Sequence, residues 1–413
     1  MKFRFSLYGF LKNQTYFEPF IILAFREKGL SFFQIGLLIG FREVCINLFE
    51  VPSGAVADLY GRRRAMVFSF SAYIVSFLIF GLAASLAALF AAMLAFAIGE
   101  AFRSGTHKAM IFDWLRERGR EKERIRFYGF TRSWSKMGSA LAVLISSGFV
   151  FSGTSYSDIF LLTAIPYLLG IVNFFGYPAS LDGERNESTG MAPVFSHLRK
   201  ALYQTLQFPP LRRIVGESMG YEGSYKVTKD YIQPVIKQVA LSFTVLAFLE
   251  EQQRVAILVG SVYFSLHLLS SLASRGGYRL KEAAGSEERA AQLIWLWTFG
   301  LYAVLVLGLW MDYLAVVIAA FIGLAVAQNF WRPILISRID THGLPEAGAT
   351  ILSIEAQAKS FFAMCFAPAV GFAVDRFGLV PVGVAGFLVV LLYTFRGFLY
   401  PGEKVCRTVP QPK

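Results

Sequence analysis

Twelve apolar runs of roughly 20 residues or more fill this chain, most of them separated by short polar turns. A helix rises 1.5 Å per residue, so about 20 residues cross the ~30 Å hydrocarbon core of a bilayer. The runs cover residues 7–26, 31–57, 65–83, 87–113, 127–150, 157–177, 213–238, 254–273, 291–310, 313–337, 349–372 and 379–399. Of the 413 residues, 55% are hydrophobic and only 16% charged, whereas a soluble domain is nearer a quarter charged. Water could not cover that much apolar surface, so the solvent must be lipid. The fold expected is all-α, with twelve transmembrane helices.

The net charge of +12 would suggest nucleic acid as a partner in a soluble protein. Here its distribution gives it another use and leaves no nucleic-acid partner in the reading. With the N-terminus inside, the cytosolic segments hold 25 Lys and Arg and the outer loops five. That asymmetry places both termini in the cytosol; the location expected is a plasma (inner) membrane. Lys12, Asn13, Gln14 and Glu18 interrupt any cleavable leader, so the first run is expected to stay as a helix. Cys45 and Cys365 lie in apolar runs and Cys406 in the tail. No Cys/His cluster supports a metal, and no cofactor is expected.

The long interruption near 178–212 divides two groups of six runs. The organisation expected is a six-helix bundle over 1–177, a cytosolic linker over 178–212, and a second six-helix bundle with a short tail over 213–413. In the linker, Phe195, Leu198, Leu202 and Leu206 share one face, as in an interfacial helix, and Pro209-Pro210 ends it. The halves echo each other. Tyr16-Phe-Glu-Pro-Phe-Ile matches Tyr231-Ile-Gln-Pro-Val-Ile. Gly99 stands nine residues before Lys108, and Gly323 nine before Arg332. Arg132 and Lys136 are four apart, as are Glu355 and Lys359. Echoes in a common order point to parallel six-helix repeats.

Between the second and third runs stands Gly54-Ala-Val-Ala-Asp58-Leu-Tyr-Gly61-Arg62-Arg63-Arg64. The glycines permit a tight turn and the arginines hold it in the cytosol. This segment resembles the signature loop of the major facilitator superfamily, and the resemblance extends over the whole chain. It implies two pseudo-symmetric six-helix bundles around a central cavity, with spans three, six, nine and twelve peripheral. It also implies a gate at Gly54, Asp58, Gly61, Arg62 and Arg63, with Asp113 or the start of span eleven as partner. Gly99 to Lys108 partly resembles the superfamily's second motif, but Gly105 follows Arg103 by two residues, not four. Span five lacks the Gly-Pro pair of many drug/proton antiporters. Gly371-x-x-x-Asp375-x-x-Gly378 resembles a half signature on the outer side, and no gating role is assigned to it.

Buried charge follows the same plan. Spans three and nine carry none, and six and twelve carry it only near an end. Ionisable groups in hydrocarbon are costly, so the others face protein or a wet cavity. The cavity and substrate candidates are Glu18, Arg103, Lys108, Lys136, Glu222, Lys226, Tyr231, Arg332 and Lys359. Spacing of four suggests the pairs Glu222–Lys226, Lys226–Asp230 and Glu355–Lys359. Lys136 and Lys359 lie near mid-depth, where secondary transporters bind substrate. Structural ion pairing is the alternative for each of these residues. Glu18, Glu222 and Glu355 are the proton-coupling candidates. Glu18 comes first, being deep, beside Pro19 and matched by Gln233 in the other half; a carboxylate in a poorly hydrated cavity takes up protons more readily.

The function expected is secondary active transport of a small polar solute by alternating access, coupled to protons. The deep cations Arg103, Lys136, Lys226, Arg332 and Lys359 tilt the solute toward an anion or zwitterion. No Gly-x-x-x-x-Gly-Lys-[Ser/Thr] loop is present, so the drive is a gradient and not a nucleotide. Drug or metabolite efflux is the near alternative. A membrane-embedded enzyme lacks a recognisable catalytic set here, and a non-transporting sensor would usually carry an added soluble domain. The partners expected are a small-molecule substrate, the lipid bilayer and protons.

Overall fold

The computed structural model describes residues 1–120, 123–182, 207–242, 246–342 and 348–399. Within these, the side chains of 51, 55, 58, 124–126, 128, 274–278, 342, 348–350 and 395–399 lie outside the description. The linker's amphipathic face, residues 195–206, therefore lies outside the described residues. The described chain forms helices joined by turns, and the twelve expected spans are all found. Span two is Phe32–Tyr60, three Arg62–Leu82, five Arg124–Phe151, six Asp158–Phe175, eight Glu251–Ala284, nine Glu287–Trp310, ten Leu314–His342, eleven Gly348–Phe377 and twelve Val380–Leu399. Local signals set several starts. Ser31 opens span two in a capping box with Gln34, and Ser286 accepts the Arg289 N–H at the start of span nine.

Three spans are not the single helices expected. Span one is Lys2–Lys12, a 3-10 turn at Glu18–Phe20, and Ile21–Glu27. Span seven repeats that plan as Pro209–Thr228, Lys229–Tyr231 and Ile232–Ser242. Pro19 lies in the first of these turns and Pro234 soon after the second, where a missing N–H relaxes the ladder. Span four divides into Leu86–Arg103 and Thr106–Glu117, because Gly105 takes φ +76°, which an α-helix cannot contain. Pro209-Pro210, expected to end the linker helix, instead opens span seven, where prolines in the first turn cost no hydrogen bond. Nine helices among the described residues are long and apolar enough to cross a membrane. The breaks and polarity of spans one and seven, and the short described apolar stretch of span twelve, account for the other three.

The packing is two-fold symmetric in kind. In the first half span two packs on four, three on four and six, and one on five and six. In the second, eight packs on ten, nine on ten and twelve, and seven on eleven and twelve. The halves meet through two against eleven and five against eight. Spans three, six, nine and twelve are peripheral, as expected. Phe68, Val75 and Leu82 of three, Leu168, Val172 and Phe175 of six, Leu296, Leu307 and Trp310 of nine, and Leu388 and Leu392 of twelve all point outward. In lipid that exposure costs nothing. Inside the first half, Phe5, Phe70, Phe77 and Phe160 are fully buried among further aromatic rings. The second half stacks Tyr221 on Trp331 with centroids 4.6 Å apart.

Candidate functional site

The breaks in spans one and seven meet between the halves and both border a space there. A cavity of about 250 Å³ is lined there by Thr15, Glu18 and Pro19 of the first turn, and by Tyr225, Lys229 and Asp230 of the second. Lys136 and Ser139 of span five, Tyr263 and His267 of eight, and Gln328 and Asn329 of ten complete it. A second cavity, of about 430 Å³, lies against the first half and is lined by Lys12, Asn13, Arg103, His107, Lys108, Arg132 and Lys136, among others. Lys136 and Ser139 line both.

Glu18 reaches the first cavity, but its side chain is 59% exposed and stands 3.9 Å from Lys229. That departs from the poorly hydrated setting on which its first rank rested. Its repeat mate Gln233 is fully buried. The Gln233 amide accepts from the Ile22 N–H at 2.8 Å and donates to the Glu18 carbonyl at 3.0 Å, tying the two breaks together. Tyr231 lies outside both cavity linings. Its ring stacks on Phe32 of span two, because the turn at Lys229–Tyr231 directs it toward the contact between spans two and eleven.

The helix-neighbour pairings hold in one case of three. Glu355 and Lys359 stand 3.5 Å apart. Lys226, however, reaches across the halves to Glu43, which is 1% exposed and also held by Arg42 at 2.9 Å. Asp230 takes Lys229 at 2.7 Å instead of Lys226. Glu222 is gripped by Arg332 of span ten at 3.0 Å and by Lys359 of span eleven at 3.0 Å. Arg332 also donates to Glu355 at 3.0 Å. Cross-helix partners prevail because the spans pack face to face and shared charges neutralise best at the centre of that contact.

One atom in this network is unsatisfied. Glu355 is fully buried. Its Oε1 accepts from Ser218 at 2.5 Å and from Arg332, while its Oε2 has no hydrogen-bond partner. Arg103 is paired with Glu100 beside Tyr73. Lys108 lies over the Phe112 ring, at the edge of the larger cavity. Arg338, counted by sequence in a loop, is buried in span ten between Glu217 at 2.7 Å and Glu288 at 2.8 Å.

The signature turn makes its described contacts within the first half. Arg62 pairs with Asp113, as expected. Arg63 donates to the Tyr177 carbonyl at 3.0 Å, and its N–H donates to Asp182 at 2.9 Å. The Asp58 side chain lies outside the described residues. Gly61 takes φ +99°, and a Cβ there would meet the Asp182 carboxyl carbon at 2.9 Å. Gly54 faces open space. Asp182 went unnoticed in sequence because it stands 119 residues from Arg63 with no motif around it.

At the opposite end the halves are joined. Asp375 of span eleven accepts the N–H groups of Phe32 and Phe33, at 2.9 and 2.7 Å, capping the start of span two. A Cβ on Gly371 would lie 2.2 Å from the Phe32 carbonyl, and one on Gly36 2.4 Å from that of Ala367. Two helices approach so closely only where side chains are absent. Gln252 adds a bond to the Thr154 carbonyl at 2.6 Å. Among the described residues, the hydrogen bonds between the halves lie at this end or at mid-depth.

This arrangement of two six-span halves around a polar interior defines a membrane transporter of secondary type. The chain belongs to the Major Facilitator Superfamily, whose family model matches residues 12–402. A stretch of 153 residues is 31% identical to the uncharacterized MFS-type transporter YxaM of Bacillus subtilis (strain 168), and covers 37% of each protein. The solved nucleoside transporter NupG shares the fold with a TM-score of 0.75 at 12% identity, over 98% of each chain. A POT family transporter in complex with 5-aminolevulinic acid does so with a TM-score of 0.72 at 13% identity, over 97% of this chain and 95% of that one.

Proposed function

We propose that this protein moves a small polar solute across the plasma membrane by alternating access, with both termini in the cytosol and a proton as coupling ion. The observation that carries the reading is the cavity between the halves, lined by the breaks in spans one and seven and sharing Lys136 and Ser139 with a second cavity in the first half. Irregular backbone within a membrane belongs where it lines a wet, solute-binding space. The excess of Lys and Arg on the signature side supports the orientation. With the halves tied at the far end, the conformation is the one open to the cytosol.

For coupling, the geometry favours Glu355 over Glu18. Glu355 is fully buried with one oxygen unpartnered, and it shares Arg332 and Lys359 with Glu222. On protonation, Arg332 and Lys359 would shift their charge to Glu222, which already binds both. Loss of that proton would draw them back. One proton would thus switch how spans seven, ten and eleven are held together.

The test uses purified protein in vesicles. Counterflow of a labelled solute, scored across nucleosides, amino acids and organic acids, checks transport without any gradient. Glu355→Gln should then abolish accumulation driven by a pH gradient while sparing counterflow, and Glu18→Gln should spare both. Gradient-driven accumulation by Glu355→Gln at the wild-type level would remove Glu355 from coupling. No counterflow of any solute in well-inserted protein would count against transport.

A further inference from the structure

Five deep cations tilted the sequence reading toward an anion, but four of them are neutralised by carboxylates: Arg103 by Glu100, Lys226 by Glu43, and Arg332 and Lys359 by Glu222 and Glu355. Lys136 is the exception, and it has company. Lys12 closes the last turn of the first helix, and Arg132 stands one turn before Lys136 on span five. All three line the larger cavity. Among the described residues, none of the three has a carboxylate within ion-pair distance, and no Asp or Glu lines that cavity.

Like charges four apart on one helix face repel each other. A third cation, Lys12, lines the same cavity and adds to the repulsion. At Arg103, Lys226, Arg332 and Lys359 such charges are balanced. An unbalanced trio around an open volume is what a mobile counter-ion would complete. Ser135 stands among the three cations and offers a hydrogen bond to an oxygen atom. On the other side of Lys136, the smaller cavity offers Tyr225, Tyr263, Gln328 and Asn329 beside the charged Glu18, Lys229 and Asp230, suited to a polar body.

We propose that the transported solute is a small organic anion whose phosphate or carboxylate head sits among Lys12, Arg132 and Lys136, with its polar body in the smaller cavity beyond Lys136. This rests on the transport reading above but is tested apart from it.

The test is thermal unfolding of the full chain in detergent, titrated with inorganic phosphate and with succinate against sodium chloride at equal ionic strength. Either or both should raise the unfolding temperature beyond chloride; the one that does so identifies the head group. Lys136→Gln and Arg132→Gln should each raise the half-maximal concentration by about tenfold or more, the loss of one charge-assisted contact. Lys237→Gln, whose ion pair with Glu251 lies at the far end, should leave it unchanged. No stabilisation by either anion, or a response unaltered in both cavity variants, overturns the proposal. Anion binding without counterflow would keep the site and remove the transport reading.

Discussion

Asp375 crosses from one half to the other at the end where they touch, so its contacts exist only while that end is closed. Both carboxylate oxygens accept N–H groups at the first turn of span two, where four backbone donors lack helical partners and the helix dipole favours a negative charge. A cap of this kind is worth about 1 kcal/mol, and the dipole adds roughly 0.3–1 kcal/mol. The site is exposed, and water can replace the lost acceptor, so the larger figures for buried charged contacts do not apply. Asp375→Ala should therefore destabilise the closed end by about 1–2 kcal/mol, which multiplies the ratio of open to closed molecules by roughly 5–30.

Spin labels at Ser152→Cys and Phe248→Cys, in protein with its native cysteines replaced by serine, report on this directly. The two positions lie at the joined end on opposite halves, and both are exposed. Electron-electron distance distributions should gain a longer population in Asp375→Ala, and less of one in Asp375→Asn, which keeps a single acceptor. An unchanged distribution together with a lower unfolding temperature would refute the reasoning. Asp375 would then be a helix cap and nothing more.

Four further outcomes are expected. Gly371→Ala, whose added carbon would press on the Phe32 carbonyl, should lengthen the same label distance without removing any charge. Lys226→Gln should lower stability by about 1–3 kcal/mol, less than the ~3–5 for a fully orphaned buried ion, because Arg42 still neutralises Glu43. The double variant Glu43→Gln/Lys226→Gln should lose less than the sum of the singles in thermal unfolding. Asp58→Asn and Arg62→Gln should each slow transport while leaving yield and unfolding temperature near wild type, as checked by counterflow on matched amounts of protein.

The spans were legible because lipid makes them so: a continuous apolar run is the only local signal a crossing helix needs. The breaks at Lys12–Glu18 and Ser104–Gly105 were not. Each depends on a few backbone angles, with Pro19 and Gly105 as the local marks. The signature turn was readable from its own residues, and Arg62 found Asp113 as the family pattern implies. Its second anchor, Asp182, came from distant chain. The ion network shows the same limit. Spacing proposed Glu222–Lys226 because sequence shows neighbours on one helix, while Arg332 and Lys359 arrive from other helices that only the packing brings near. Asp375 carries no gating role in the sequence because the span count puts it on the outer side, and its partners are backbone N–H groups that no motif displays.

The two repeats put unlike charges at matching places, and that difference divides their work. Span eleven carries Glu355 and Lys359 where span five carries Arg132 and Lys136. An acid at the first position lets the second half close its charges on itself, through Arg332, Lys359 and Glu222. A cation there leaves the first half with positive charge that nothing described in its own cavity balances. A half with unbalanced cations changes its energy when an anion enters, which is the differential interaction a solute needs to shift the balance between open and closed forms. The reciprocal exchange Arg132→Glu would convert the span-five pair into the span-eleven kind. It should abolish stabilisation by phosphate or succinate without lowering the unfolding temperature, because it replaces a repelling pair with an attracting one. A variant that still binds the anion would place the counter-ion elsewhere, and a variant that fails to fold would mean Arg132 holds the bundle together.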